Sequence, residues 1–190
     1  GILSFKTIYS WIHRGFLAVT EKVLRRKGKK PGTQEKRGRF NVKKTIKDRP
    51  QEVENRKTFG HWELDTMVSS RGQSKGCLAT FVERKTRFYV AIKMDNRTKD
   101  SMFLAISSLY NTLTSKLLKT FTVDRGKEFA CFEQVETEFG IPMYFADAYA
   151  AWQRGSNENS NGLLREFFPK KTDLAKLTLD KLAEALVLIN

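Results

Sequence analysis

Three acids in this chain could do chemistry together. Asp124 follows the β-forming run Phe121-Thr122-Val123 and opens into Arg125-Gly126, a strand-to-loop junction of the kind that carries reactive residues. Asp65 sits inside GHWELDTMV (60–68), which reads as another strand, and Glu158 lies in GSNENSNGLLREFF (155–168), which reads as the start of a helix. If these three carboxylates converge they repel one another, and a divalent cation is the usual remedy. Ligands that are all oxygen favour Mg²⁺ or Mn²⁺ over zinc or copper. Glu63, Glu83, Glu128, Asp147 and Glu166 compete for the role. Glu63 and Asp65 share a strand parity and therefore a face, so pattern alone leaves either as the first ligand. Glu166 is two helical turns beyond Glu158, about 12 Å away, and is excluded from the same site.

These acids need elements to carry them. The hydrophobic pattern predicts strands at 61–68, 77–82 and 87–94, joined as an antiparallel meander by turns at 70–76 and 83–86. A helix follows, capped by Thr98 or Asp100 and running to 112, with Met102, Ile106, Leu109 and Leu113 on its buried stripe. Next come the Asp124 strand, a helix over 129–139 stopped by Gly140 and Pro142, a fifth strand at 143–146 and the Glu158 helix. A last helix, 178–189, places Leu179, Leu182, Leu186 and Ile189 toward the core. The expected class is α/β, a mixed five-stranded sheet flanked by helices.

Charge divides the chain. Residues 1–60 hold 17 Lys/Arg against 5 Asp/Glu, and residues 61–190 hold 18 against 16, so nearly all of the +14 lies in the first third. A basic arm beside a nearly neutral domain selects a polyanion, and double-stranded DNA is the expected partner. The arm lacks the apolar face that a membrane surface would require. Residues 4–17 space Ile8, Trp11 and Ile12 as a short helix capped by Ser4 and stopped by Gly15. That is read as part of a helix-turn-helix over 1–24, although a surface helix explains the same residues. Residues 25–58 read as a basic flexible linker and 59–190 as the main domain. Lys6, Arg14, Arg25, Arg26, Lys29, Lys30, Arg37, Arg39, Lys43 and Lys44 are the DNA-contact candidates of this leading part. Arg125, Arg154 and Arg165 join them from the main domain, with ordinary solvated side chains as the alternative.

Cys77 and Cys131 have no metal-ligand spacing and read as free thiols of a reducing cytoplasm. No apolar run approaches the roughly 18 residues of a membrane span. The chain opens on Gly1 and stops at Asn190 within a helical pattern, so a C-terminally truncated copy is expected.

WELD (62–65), TVDRGKEF (122–129) and WQRGSNENSNGLLREFFPK (152–170) together resemble the catalytic core of a bacterial insertion-sequence transposase. The match is to the family named after insertion sequence thirty, among the DDE transposases and retroviral-type integrases. GHWE, VERKTR (82–87), FAD (145–147) and TIYSWIHRGFL (7–17) match as well, and the third long motif is the most specific. The resemblance implies a ribonuclease-H-like fold and assigns Asp65, Asp124 and Glu158 as catalytic, metal-binding acids. The 33 residues between Asp124 and Glu158 agree with the family's spacing. Alanines in AYAA (148–151) and Leu64 depart from it without touching the acids.

What the resemblance implies is a nucleoid-associated bacterial enzyme of the cytoplasm, acting as a homo-oligomer on the terminal repeats of its element and on target DNA. Two Mg²⁺ ions about 3.5–4 Å apart, or Mn²⁺ in their place, would serve cleavage by water and then strand transfer by the freed 3′-hydroxyl. Two other readings share parts of this pattern. One is a catalytically inactive DNA-binding remnant of a transposase, and the other is a ribonuclease-H-like nuclease.

Overall fold

The computed structural model describes residues 3–20, 42–70, 74–147 and 150–190. They fall into two units, the first holding 3–20 and the second 42–190. The first unit contains α1 (Phe5–His13), whose N-terminus is capped by the Ser4 hydroxyl accepting from the Lys6 N–H at 3.3 Å. Gly15, at φ +72, turns the chain after the helix as its type allows. No residue of α1 is buried. A second helix of a helix-turn-helix would fall at least partly on residues 21–41, outside the described residues, as do Arg25, Arg26, Lys29, Lys30, Arg37 and Arg39.

The second unit begins before the expected boundary at residue 59. Thr45 forms a parallel bridge with Phe145, a 3-10 turn follows at Ile46–Asp48, and α2 (Gln51–Asn55) buries Val53 completely. Residues 42–58 are thus part of the domain and not flexible linker. The expectation failed because the apolar anchors here are sparse among charges, and one charge, Arg49, is itself buried against Thr122 and Glu54.

β1 (His61–Val68), β2 (Cys77–Glu83) and β3 (Tyr89–Met94) form the antiparallel meander, while β4 (Thr120–Val123) and β5 (Met143–Phe145) add in parallel. The sheet order is β3-β2-β1-β4-β5. β2 is buried at every residue, as a central strand covered on both faces must be. One core joins Trp62, Leu64, Phe121 and Val123 to α3 (Lys99–Thr112) and α4 (Phe132–Phe139). The opposite face joins Met67, Leu78, Val82 and Tyr89 to α5 (Gly155–Phe167) and α6 (Leu179–Ile189). Each large side chain buried in these layers contributes about 1.5–3 kcal/mol relative to exposure. Alternation along β1 sends Trp62 and Leu64 to the first layer, and Glu63 and Asp65 to the α5 side.

Some elements differ in detail from the sequence pattern. Residues 127–131 form a 3-10 turn before α4, because Glu128 turns inward to Arg97 and Thr66. β3 starts at Tyr89 because Arg87 adopts φ +69, in a turn whose N–H groups at Lys85 and Thr86 are bound by the Glu83 carboxylate. Leu179 stands 70% exposed at the head of α6, leaving Leu182 and Ala185 as its buried residues. Among the described residues no helix is long and apolar enough to cross a membrane.

Candidate active site

β1 and β4 pair in parallel as far as Glu63 opposite Thr122, and each strand carries an aspartate two residues further on, Asp65 and Asp124. Two residues on is the same sheet face, so both carboxylates turn toward α5. Asp124 closes its own turn by accepting the Gly126 N–H at 2.8 Å. Asp65 accepts the Thr66 N–H at 2.8 Å and the Asn161 side-chain amide at 3.0 Å. Asn161 in turn accepts from the Tyr89 hydroxyl at 2.7 Å, which fixes its amide toward Asp65.

Arg154 lies between the two aspartates. One nitrogen donates to Asp124 at 3.1 Å; the other donates to the Leu64 carbonyl at 3.1 Å and stands 3.6 Å from Asp65. Burial pushes the Asp65 carboxyl above the ordinary aspartate range, Arg154 opposes that shift, and Asp124 and Glu128 reinforce it.

Glu158 occupies the first turn of α5, exposed, with no hydrogen bond or ion pair among the described residues. The structure therefore brings Asp65 and Asp124 together and leaves Glu158 apart from them. Among the described residues no group of three or more His, Cys, Asp or Glu side chains is close enough to hold a metal ion.

What fixes the Glu158 helix is a residue that pattern could not separate from Asp65. The fully buried Glu63 carboxylate accepts the backbone N–H groups of Ser156 and Asn157, both at 3.1 Å, and pairs with buried Arg84. A carboxylate on the free N–H groups of a helix start satisfies donors that have no intrahelical partner and complements the helix dipole. Asn157 is therefore not the cap that its type suggests: its own N–H is capped, and its buried side-chain amide has no hydrogen-bond partner among the described residues. Arg87 adds a bond to the Ser156 hydroxyl at 2.7 Å. The sequence signal for Glu63 is its shared face with Asp65.

The remaining candidates spread out. Arg125 donates to the Ala146 carbonyl at 3.3 Å, and Arg165 ties α5 to the Val68 carbonyl at 2.8 Å, so both serve local structure. Lys43 and Lys44 pair with Glu133 and Glu136 on α4. Lys6 and Arg14 lie on or beside α1 in the first unit. Glu128 is spoken for by Arg97 at 2.6 Å and Thr66 at 3.0 Å, and His61 is a structural histidine bonded to Thr120 at 2.9 Å.

The family model described as Integrase core domain matches residues 55–151, about half of the chain, and the chain belongs to that family. Its relatives include the probable transposase for insertion-like sequence element IS1161 of Streptococcus salivarius, 34% identical over 98% of this chain and 54% of the relative. The transposase InsI for insertion sequence element IS30A of Escherichia coli is 37% identical over 83% of this chain and 41% of its own length. The resemblance read from the motifs therefore holds, and the chain spans about half the length of these curated relatives.

Among solved structures, a chain of the simian T-cell lymphotropic virus intasome in complex with the PP2A regulatory subunit B56 gamma superposes with a TM-score of 0.56 at 23% identity, over 69% of this chain and 48% of that one. The HTLV-2 integrase catalytic core domain in complex with magnesium gives 0.52 at 20% identity, over 67% and 83%. The fold is ribonuclease-H-like, as expected.

Proposed function

We propose that this chain is the catalytic core of a DNA transposase that cleaves strands at the ends of its element and joins them to target DNA. The observation that carries the reading is the Asp65–Asp124 pair, held on one face of adjacent parallel strands and bridged by Arg154. Asp65 is strained toward its neutral form by burial and by Asp124, the condition that a bound cation relieves. The donors are carboxylate oxygens, which suit Mg²⁺, with Mn²⁺ as substitute. Asp65 and Asp124 would hold the metal, with Glu158 as the third ligand once its side chain turns toward them.

Two such ions, when bound, would activate the attacking oxygen and stabilise the leaving 3′-oxygen of a phosphodiester. The chain's own residues supply the frame. Glu63 fixes the start of α5, Asn161 aims Asp65, and the Gly126 turn aims Asp124. The attacking group is water and then a DNA 3′-hydroxyl, so no protein nucleophile is required. The basic leading residues 1–41 fit double-stranded DNA, with 1–24 as the helix-turn-helix part, and the working unit is a homo-oligomer joining two terminal repeats in a bacterial nucleoid.

The test uses a duplex carrying the end of the chain's own element. Asp124→Asn is expected to abolish cleavage in Mg²⁺ while DNA binding stays within about twofold, because a metal ligand is lost and a phosphate contact is not. Full cleavage by the variant would overturn the reading. Salt-sensitive DNA binding by the unaltered chain with no cleavage would leave a DNA-binding remnant in its place.

A further inference from the structure

The place where a cation would sit between Asp65 and Asp124 is taken by a residue of the chain itself. Arg154 is only 14% exposed and reaches both acids, at 3.6 Å and 3.1 Å, while donating to the Leu64 carbonyl at 3.1 Å. Guanidinium and a divalent ion compete for the same oxygens, since a metal bonded at about 2.0–2.1 Å leaves the contacted oxygen little room for a second cation at hydrogen-bond range. Nothing else ties Arg154 down among the described residues: its own partners are these two aspartates and one carbonyl. The first turn of α5 is fastened separately, by Glu63 on the Ser156 and Asn157 N–H groups and by Arg87 on Ser156. The side chain of Arg154 can therefore leave without releasing the helix that carries Glu158. Arg97 contributes positive charge to the same region but forms its ion pair with Glu128, through Nε at 2.6 Å and one terminal nitrogen at 2.5 Å, so among the described residues Arg154 is the cation within ion-pair distance of both aspartates.

We propose that Arg154 is a displaceable internal counter-cation: it holds Asp65 and Asp124 together in the metal-free chain, competes with the metal for their oxygens, and swings out when the metal binds. The displaced group keeps a planar fork of donors suited to a phosphodiester of the DNA strand, so its release links metal loading to DNA contact. This inference rests on the metal-site reading above.

The experiment is a Mn²⁺ titration of the whole chain followed by electron paramagnetic resonance, without DNA. Arg154→Gln removes the charge and keeps hydrogen-bonding groups. It is expected to bind Mn²⁺ about tenfold or more tightly than the unaltered chain, since one competing unit charge at this range is removed. It should also melt at lower temperature without metal and regain more on adding Mn²⁺. Equal or weaker Mn²⁺ affinity would overturn the proposal. Should Arg154→Gln fail to fold, Arg154→Lys carries the test: a single-armed cation competes less well, so tighter Mn²⁺ binding supports the proposal and unchanged binding overturns it. Asp124→Asn separates the two readings. If the unaltered chain binds Mn²⁺ and Asp124→Asn does not, the metal site stands and the arginine variants alone judge the proposal. If neither the unaltered chain nor the arginine variants take up Mn²⁺, the metal-site reading fails and the counter-cation with it.

Discussion

The carboxylate of Glu63 accepts the backbone N–H of Asn157 at 3.1 Å, joining β1 to the helix start 94 positions later. Glu158 is the next residue, so the position of the third acid depends on a buried acid that is not itself a proposed metal ligand. The same carboxylate neutralises Arg84, whose Nε donates to the Val53 carbonyl at 3.2 Å. Strand, helix start and the leading segment thus meet at one charge.

Removing that charge should be costly. Glu63→Ala leaves buried Arg84 only the half-exposed Glu54 carboxylate, 3.8 Å away, and two helix N–H groups uncapped, with an expected loss of about 3–5 kcal/mol. Glu63→Gln keeps one acceptor and should lose less, about 1–3 kcal/mol. Urea unfolding followed by circular dichroism reads both values. Equal stability of all three chains would contradict the role.

Asp65 should make stability depend on pH in a defined direction. Its folded-state carboxyl is raised, chiefly by burial, so the ionised form costs stability that is absent below the ordinary aspartate value and complete above the raised one. Asp65→Asn should therefore melt higher than the unaltered chain at neutral pH without metal, by roughly 2–4 °C for each kcal/mol released. The gain should shrink as pH falls and be lost only below the ordinary aspartate value of about 3.9, where both chains carry a neutral side chain. Melting curves from pH 4 to 7 test this, and a gain that grows on acidification would contradict it.

Much of the fold and part of the site are legible in the sequence alone. The strand segments and the acids they carry follow from local signals, β-branched runs broken by glycine and charge, which need no long-range information. The parity of Glu63 and Asp65 gives their common face, but parity cannot say which of two acids is closed in by a helix start and which stays partly exposed. That depends on Ser156 and Asn157, far away in the chain. Arg154 is visible there only as a candidate phosphate contact, since an ion pair across 30 residues to Asp124 leaves no periodic trace. The packing of residues 42–58 is hidden for a different reason: its anchors are one valine and a buried arginine in a stretch whose composition is that of a linker.

The two thiols should be inert in the native chain. Both are buried, and burial pushes Cys77 up to about 11 and Cys131 to about 12, leaving almost no thiolate at pH 8. Ellman's reagent should find no reactive thiol within minutes in buffer and both in denaturant. Rapid modification of the folded chain would show that these faces of the core open.

Gly76 should tolerate no side chain. A Cβ there would lie 2.5 Å from the Ala175 backbone nitrogen and 2.7 Å from its Cα, and neither belongs to a flexible side chain. Gly76→Ala is expected to lose about 1–3 kcal/mol through overpacking. Urea unfolding measures the loss, and an unchanged midpoint would contradict the close approach of β2 to the turn at Leu174–Lys176.

The central claim concerns where divalent ions sit. Crystals of the chain soaked in Mn²⁺, measured for anomalous scattering, should place the metal against the oxygens of Asp65 and Asp124, with Arg154 withdrawn and the Glu158 carboxylate turned toward the same site. Mn²⁺ bound elsewhere, with the Arg154 bridge intact at saturating metal, would contradict it.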